Sequence, residues 1–157
     1  MPGRKKHQIA GTVTGAARVA YQSWGTPDCL METIGGGCGG YLSSMLPDFL
    51  EPAISSWHRG TCHSVSAGGV VLGIDKVLAQ WADYCRQQAN KYRAIQTVQD
   101  PVTGAMKPVV PLTLLQQLAQ LFWSFLAGLL NGLVPGYISH LALDAGTPRG
   151  IPFFGAA

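Results

Sequence analysis

At 157 residues the chain is long enough for one domain with a real core and too short for two comfortable ones. Only 12% of its residues are charged, about half the roughly 25% usual for soluble domains, while glycine reaches 20 residues. The net charge of +3 lies largely in Arg4–Lys6, and no basic stripe with interleaved aromatics follows, which argues against nucleic acid as a partner.

Low charge with abundant glycine suits helices packed closely in or on a membrane. A mean hydropathy of +0.18 is only mildly apolar, so a very apolar soluble core is the alternative. Residues 1–7 read as a basic N-terminal tail suited to anionic lipid headgroups. The segment after it carries Arg18 and no clear cleavage site, so it does not read as a signal peptide.

Residues 8–23 place Ile9, Val13, Ala16, Ala17 and Ala20 at helical spacing, ending before Gly25 and Pro27. Residues 33–46 form a small, apolar helix stopped by Pro47. Its "GGGCGG" satisfies G-x-G-x-x-G formally, but no strand precedes it, so tight helix packing explains the glycines better than a dinucleotide site. Residues 62–84 begin apolar and turn amphipathic, and residues 85–111 read as a polar loop, with the preceding helix able to run on to about residue 95. No segment reads as a convincing strand.

From Pro108 to Leu143 there is no Asp, Glu, Lys or Arg, a stretch of 36 residues against the roughly 20 that span a bilayer. Pro135 and Gly136 predict a division into helices over about 112–133 and 136–145. Gly128, Gly132 and Gly136 recur every four residues and invite close approach of another helix. Gln116, Gln117, Gln120 and Asn131 temper the membrane reading, since a fully lipid-facing helix rarely carries four amides. The predicted fold is a single all-α domain, a bundle of about five helices at least partly embedded in or associated with a membrane. The basic tail and the loop bearing Arg86, Lys91, Arg93 and Lys107 both favour a cytoplasmic side, so some helices are expected to be interfacial or re-entrant.

Chemistry concentrates in a few places. "SHLALD" sets His140 and Asp144 four residues apart, stacked on one helix face with Cβ atoms about 6 Å apart, where an imidazole and a carboxylate can share a divalent ion. A helix-surface hydrogen bond is the plainer reading, but an isolated Asp in an apolar stretch usually marks function. "MLPDFLEP" leaves Asp48 at a turn after Pro47, with Glu51 as a second oxygen donor. In "HRGTCHS", Gly60 breaks any helix and Thr61 reads as an N-cap, which would put His63 in a first helical turn and His58 in the loop before it. Arg59 and the free amides of that helix start would suit a phosphate. His7 alone reads as a surface residue. The four cysteines form no C-x-x-C pair, and buried free thiols fit their surroundings better than disulfides. Cys62 is a candidate thiolate ligand, with a small buried thiol the plainer reading. No G-x-S-x-G elbow is present.

Taken in order, His7, "LPD" at 46–48, "HRGTCHS" at 58–64 and "GYISHLALDAGTPRGIP" at 136–152 resemble the YdjM-like bacterial membrane proteins described as metal-dependent hydrolases. That family's pattern is an early His, L-P-D, H-R-G-x-T-H-S and a final S-H-h-x-h-D block with following T, G and P. The chain departs from it at Phe49, Leu50 and Glu51, where relatives often carry further acidic and His groups, which puts a second ion in doubt unless Glu51 substitutes. It also carries Cys62 where Thr is usual, and "GIPFFGAA" where relatives continue into another apolar segment. The ligand order is similar, more distantly, to zinc-dependent phospholipase C.

The resemblance implies a metal site of one or two divalent ions, zinc by preference, held by Asp48, His63, His140 and Asp144 with His7 adjacent. His58 and Arg59 would support the ligands or bind substrate, with Arg59 neutralising a phosphate, and Asp48 or Asp144 would bridge metals or accept a proton from water. It further implies a bacterial inner-membrane location and a phosphoester substrate, with a lipid headgroup the natural choice. The competing expectation is a non-enzymatic membrane protein in which a metal or a polar network ties helices together.

Overall fold

The computed structural model describes residues 4–51, 61–94, 97–108, 114–147 and 150–153. It consists of helices α1 (Arg4–Gln22), α2 (Cys29–Ser43), α3 (Leu46–Leu50), α4 (Val65–Ala94) and α5 (Leu114–Ala145). The architecture is the expected all-α bundle, with one small addition. Between α4 and α5, strands β1 (Thr97–Gln99) and β2 (Met106–Pro108) pair antiparallel, with Val98 opposite Lys107.

The segment 85–111 is therefore not one loop. Helix α4 persists to Ala94 because Ala82, Cys85 and Ala89 continue a buried face, the first two packed with Ala127 of α5. The "DPVTG" turn then closes the hairpin: the Asp100 carboxylate accepts the Val102 N–H at 2.8 Å, and Gly104 takes φ 67°.

Helix α1 begins at Arg4, so most of the predicted tail is helical. Its buried stripe is His7, Gly11, Gly15 and Val19, spaced by four. Ile9 and Val13, whose spacing predicts the helix, are 64% and 59% exposed. Small residues face inward because the neighbouring backbone leaves no room for larger ones. At the far end Gly25, with φ 80°, reverses the chain into α2.

Helix α2 packs against both α1 and α5, which also touch each other. A Cβ added at Gly128, Gly132 or Gly136 would stand 1.9, 2.1 and 2.3 Å from the carbonyl oxygens of Glu32, Gly36 and Gly40, so α5 runs parallel to α2 at backbone contact. On the other side Gly11 and Gly15 press on Gly40 and Gly36, so α1 runs antiparallel. The glycine-rich run is a packing surface used on both sides.

The expected break at Pro135 is absent, and α5 is one helix of 32 residues. The Pro135 carbonyl accepts the Thr14 hydroxyl at 3.3 Å, and Gly132 and Gly136 hold α5 on α2 across the proline. Among the described residues α5 is the one helix long and apolar enough to cross a membrane. Large apolar side chains point outward on several helices, including Val13, Leu30, Val70, Trp81 and Phe122.

The two ends of the bundle differ. At the α2 N-terminus, buried Glu32 takes three bonds of 2.8–3.1 Å from Arg86, and Asp28 pairs with Arg93. The other end gathers the start of α1, α3, the start of α4 and the end of α5.

Candidate metal centre

Helix α4 starts later than the sequence suggests. Ser64, not Thr61, caps it: its Oγ accepts the Ala67 N–H at 3.2 Å. The Val65 and Ser66 amides donate to the carbonyls of Pro152 and Phe153 at 2.9 and 3.2 Å. The amides expected to be free for a phosphate are thus occupied by the chain's own C-terminal segment. His63 sits in the turn before the helix, fully buried, rather than in its first helical turn. His58 and Arg59 lie outside the described residues.

Asp48 stands inside α3 rather than at a simple turn. Pro47 does not stop a helix here. It opens this short one, where its missing N–H costs no hydrogen bond. His140 and Asp144 share one face of α5, as their spacing predicts, and both are buried.

These elements bring Asp48 and Asp144 against both His63 and His140. His63 Nε2 is 3.3 Å from Asp48 Oδ1 and 3.7 Å from Asp144 Oδ2. His140 Nε2 is 3.3 Å from the same Asp144 oxygen and 3.7 Å from the same Asp48 oxygen. Two groups suited to an ion overlap there, one of His7, His140 and Asp144 and one of Asp48, His63 and His140.

Ligands about 2.0–2.1 Å from a tetrahedral zinc lie about 3.3–3.4 Å from one another, longer than a good hydrogen bond. The two 3.3 Å separations match that edge, and the two of 3.7 Å are a few tenths of an ångström longer. His140 Nε2 is buried without a hydrogen-bond partner, whereas its Nδ1 donates to the Ser44 carbonyl at 2.6 Å. That carbonyl is available because α2 ends at Ser43. An imidazole fixed through one nitrogen, with the other aimed at carboxylates, is oriented as metal-binding histidines are.

His63 has the same arrangement. Its Nδ1 lies 3.1 Å from Glu51 Oε2, which leaves Nε2 toward Asp48 and Asp144. Glu51 also accepts the Cys62 N–H at 2.9 Å. Burial disfavours the Glu51 carboxylate, but the bonds from Cys62 and His63 outweigh it and hold its pKa below the ordinary value. Glu51 thus positions His63.

His7 is no surface residue. It is 4% exposed, its ring stacks on His140 with centroids 3.9 Å apart, and its Nε2 is 3.7 Å from Asp144 Oδ1. Burial, then the neighbouring His140, lower its pKa against the opposing pull of Asp144 and Asp48. Its Nδ1 has no hydrogen bond.

Cys62 does not join either group. Burial and the Glu51 carboxylate beside it raise its pKa, which disfavours a thiolate. Its carbonyl accepts the Tyr137 hydroxyl at 2.5 Å, tying the His63 turn to α5. All four cysteines are free, but only Cys85 is fully buried and Cys38 is exposed.

The cluster opens on one side. Asp48 is 37% exposed while the His63 and His140 side chains are at 0%. Beside Asp48 is a cavity of about 360 Å³ lined by Arg4, Met45, Asp48 and Phe49. Arg4, which the sequence offered only as part of a basic tail, has no carboxylate partner among the described residues; its guanidinium lies 3.8 Å from Met45 Sδ. Comparison with family models, with curated proteins and with solved structures finds no match for this chain.

Proposed function

We propose that the protein is a membrane-associated, metal-dependent hydrolase acting on a phosphoester. The observation that carries the reading is the unbonded Nε2 of His140, buried between the carboxylates of Asp48 and Asp144 while Nδ1 is held by Ser44. Asp48, His63, His140 and Asp144 would hold one divalent ion, zinc by preference for a mixed imidazole and carboxylate set. His7 would join them or serve a second ion with Asp144 and His140. Such an ion supplies an acidified water and a positive charge for phosphate oxygen.

The chain's own groups account for the rest. Asp48, the exposed member, is placed to accept a proton at Oδ2 or to orient water arriving from the cavity. Arg4, without a carboxylate partner among the described residues, offers its charge to an anionic group at the same mouth. Buried Asp144 keeps both histidines in register. The resemblance to YdjM-like bacterial inner-membrane proteins supports this reading, as do the long apolar α5 and the outward-facing apolar side chains.

A structural metal is the competing reading, favoured by the way the cluster joins α1, α3, α5 and the His63 turn. The open side at Asp48 favours the hydrolase, because a structural site is closed by protein ligands. The experiment is hydrolysis of a chromogenic phosphodiester and of phospholipid by purified protein, with zinc or manganese and with chelator. Metal-dependent turnover lost in Asp48→Asn supports the hydrolase. Full metal loading with no turnover on either substrate leaves the structural reading.

A further inference from the structure

We infer that the groove between α1 and α2 holds one acyl chain of a bilayer phospholipid and delivers its headgroup to the mouth of the metal centre. The inference rests on the proposed function only for what happens at that mouth; occupancy of the groove stands apart from it.

The groove is a cavity of about 620 Å³ whose floor includes Ala16, Ile34, Gly37 and Cys38. A second cavity of about 440 Å³, lined by Lys5, Gln8, Ile9 and Val13, continues it and shares Thr12 and Tyr41 with it. Beyond this the Arg4 and Asp48 cavity opens, and Gln8 and Arg4 both reach Met45 Sδ at the junction, at 3.1 and 3.8 Å. The path is therefore apolar at its far end and cationic where it meets the catalytic carboxylate. An anionic amphiphile has that polarity.

Two details favour a lipid chain over a protein segment. The Thr12 hydroxyl of the deep groove needs nothing from a partner, since its Oγ1 already donates to the Gln8 carbonyl at 2.8 Å. From Lys5 to Ala16 the groove follows α1 for about 16 Å at 1.5 Å per residue, close to the roughly 15 Å depth of one leaflet's hydrocarbon. With Arg4, Lys5 and Lys6 at the headgroup level, the groove would run toward the bilayer centre.

Gly37 supplies an independent sign. Its neighbours on α2 cannot carry a side chain, since a Cβ at Gly36 or Gly40 would come within 2.6 or 2.0 Å of other atoms. A Cβ at Gly37 would meet only Thr12 and Ala16, at 3.5 and 3.6 Å. Packing within the chain does not demand a small residue there, whereas an occupied groove does.

The test uses the full chain in mild detergent with chelator, so that no turnover occurs. It is equilibrated with phosphatidylglycerol bearing a photoreactive acyl chain, and adducts are mapped by mass spectrometry. Adducts should concentrate on Ile34, Cys38, Tyr41 and Leu42, at least tenfold above Val70, Leu72 and Val77 of α4, which are more exposed than Ile34, Tyr41 and Leu42. Gly37→Leu and Cys38→Trp, the latter at an exposed position, should each cut groove adducts at least fivefold with helical content unchanged. Gly37→Ala should not. Adducts spread evenly over both faces, persistence in both filled variants, or chain-to-chain cross-links at Cys38 showing a second copy in the groove would each overturn the inference. Failure of the hydrolase reading would leave the adduct pattern intact, and failure of the groove would leave turnover of a water-soluble phosphodiester intact.

Discussion

Two glycine-to-alanine substitutions should act with opposite sign. At Gly132 an added Cβ would stand 2.1 Å from the Gly36 carbonyl oxygen and 2.8 Å from its Cα, far inside the 3.0 Å that real contacts respect. The obstacle is backbone, which cannot rotate away, so α2 and α5 must part by about 1 Å in a close-packed interface. Overpacking of this kind costs about 1–3 kcal/mol, and a backbone obstacle puts it at the upper end. Alanine returns about 1 kcal/mol of helix propensity, leaving a net loss of about 2 kcal/mol, roughly thirtyfold in the folding equilibrium. At Gly73 of α4 nothing lies within 4 Å, so alanine should stabilise by about 0.5–1 kcal/mol. The assay is denaturant unfolding in detergent followed by far-UV circular dichroism. A Gly132→Ala variant as stable as the wild type, or more stable, would refute backbone contact between α2 and α5.

Glu51→Gln should weaken metal binding about 10–100-fold by loosening His63 without removing a ligand, read by competition with a chelating dye. Arg86→Met should destabilise the fold by about 3–5 kcal/mol because it strands the buried Glu32 carboxylate, whereas the Arg86→Met and Glu32→Gln pair should cost clearly less. In metal-free protein, stability should fall as pH drops below the ordinary histidine value of about 6.5. The sign follows from His7, whose folded pKa is lowered, so the unfolded chain binds the proton first. His7→Gln should flatten that part of the pH profile, and an unchanged profile would remove His7 as its source.

Much of the site was legible because it is written in short-range spacing. His140 and Asp144 at i, i+4 define a helix face whatever surrounds them, and Gly128, Gly132 and Gly136 announce a close approach in the same way. What sequence could not supply were contacts made by distant backbone. Ser44 orients His140 with a carbonyl freed by the end of α2, a group every residue carries. Pro152 and Phe153 occupy the amides that Thr61 seemed to leave open, which moved the cap to Ser64. His7 read as a surface residue because its helix was expected to begin at residue 8, whereas one further turn buries it against His140. Pro135 misled because a proline's local cost was weighed without the glycine contacts that hold α5 on both sides of it. The β1–β2 hairpin has strands of three residues, too short to show alternation.

The central claim is that Asp48, His63, His140 and Asp144 hold a divalent ion. Its most direct test is elemental analysis of protein purified without chelator and offered zinc, manganese, iron and cobalt in turn. The account predicts at least one equivalent of one of these metals per chain, lost together in His140→Ala and Asp144→Ala while helical content stays. Retention of the same metal in both variants, or no stoichiometric binding of any of the four by the wild-type chain, would contradict it.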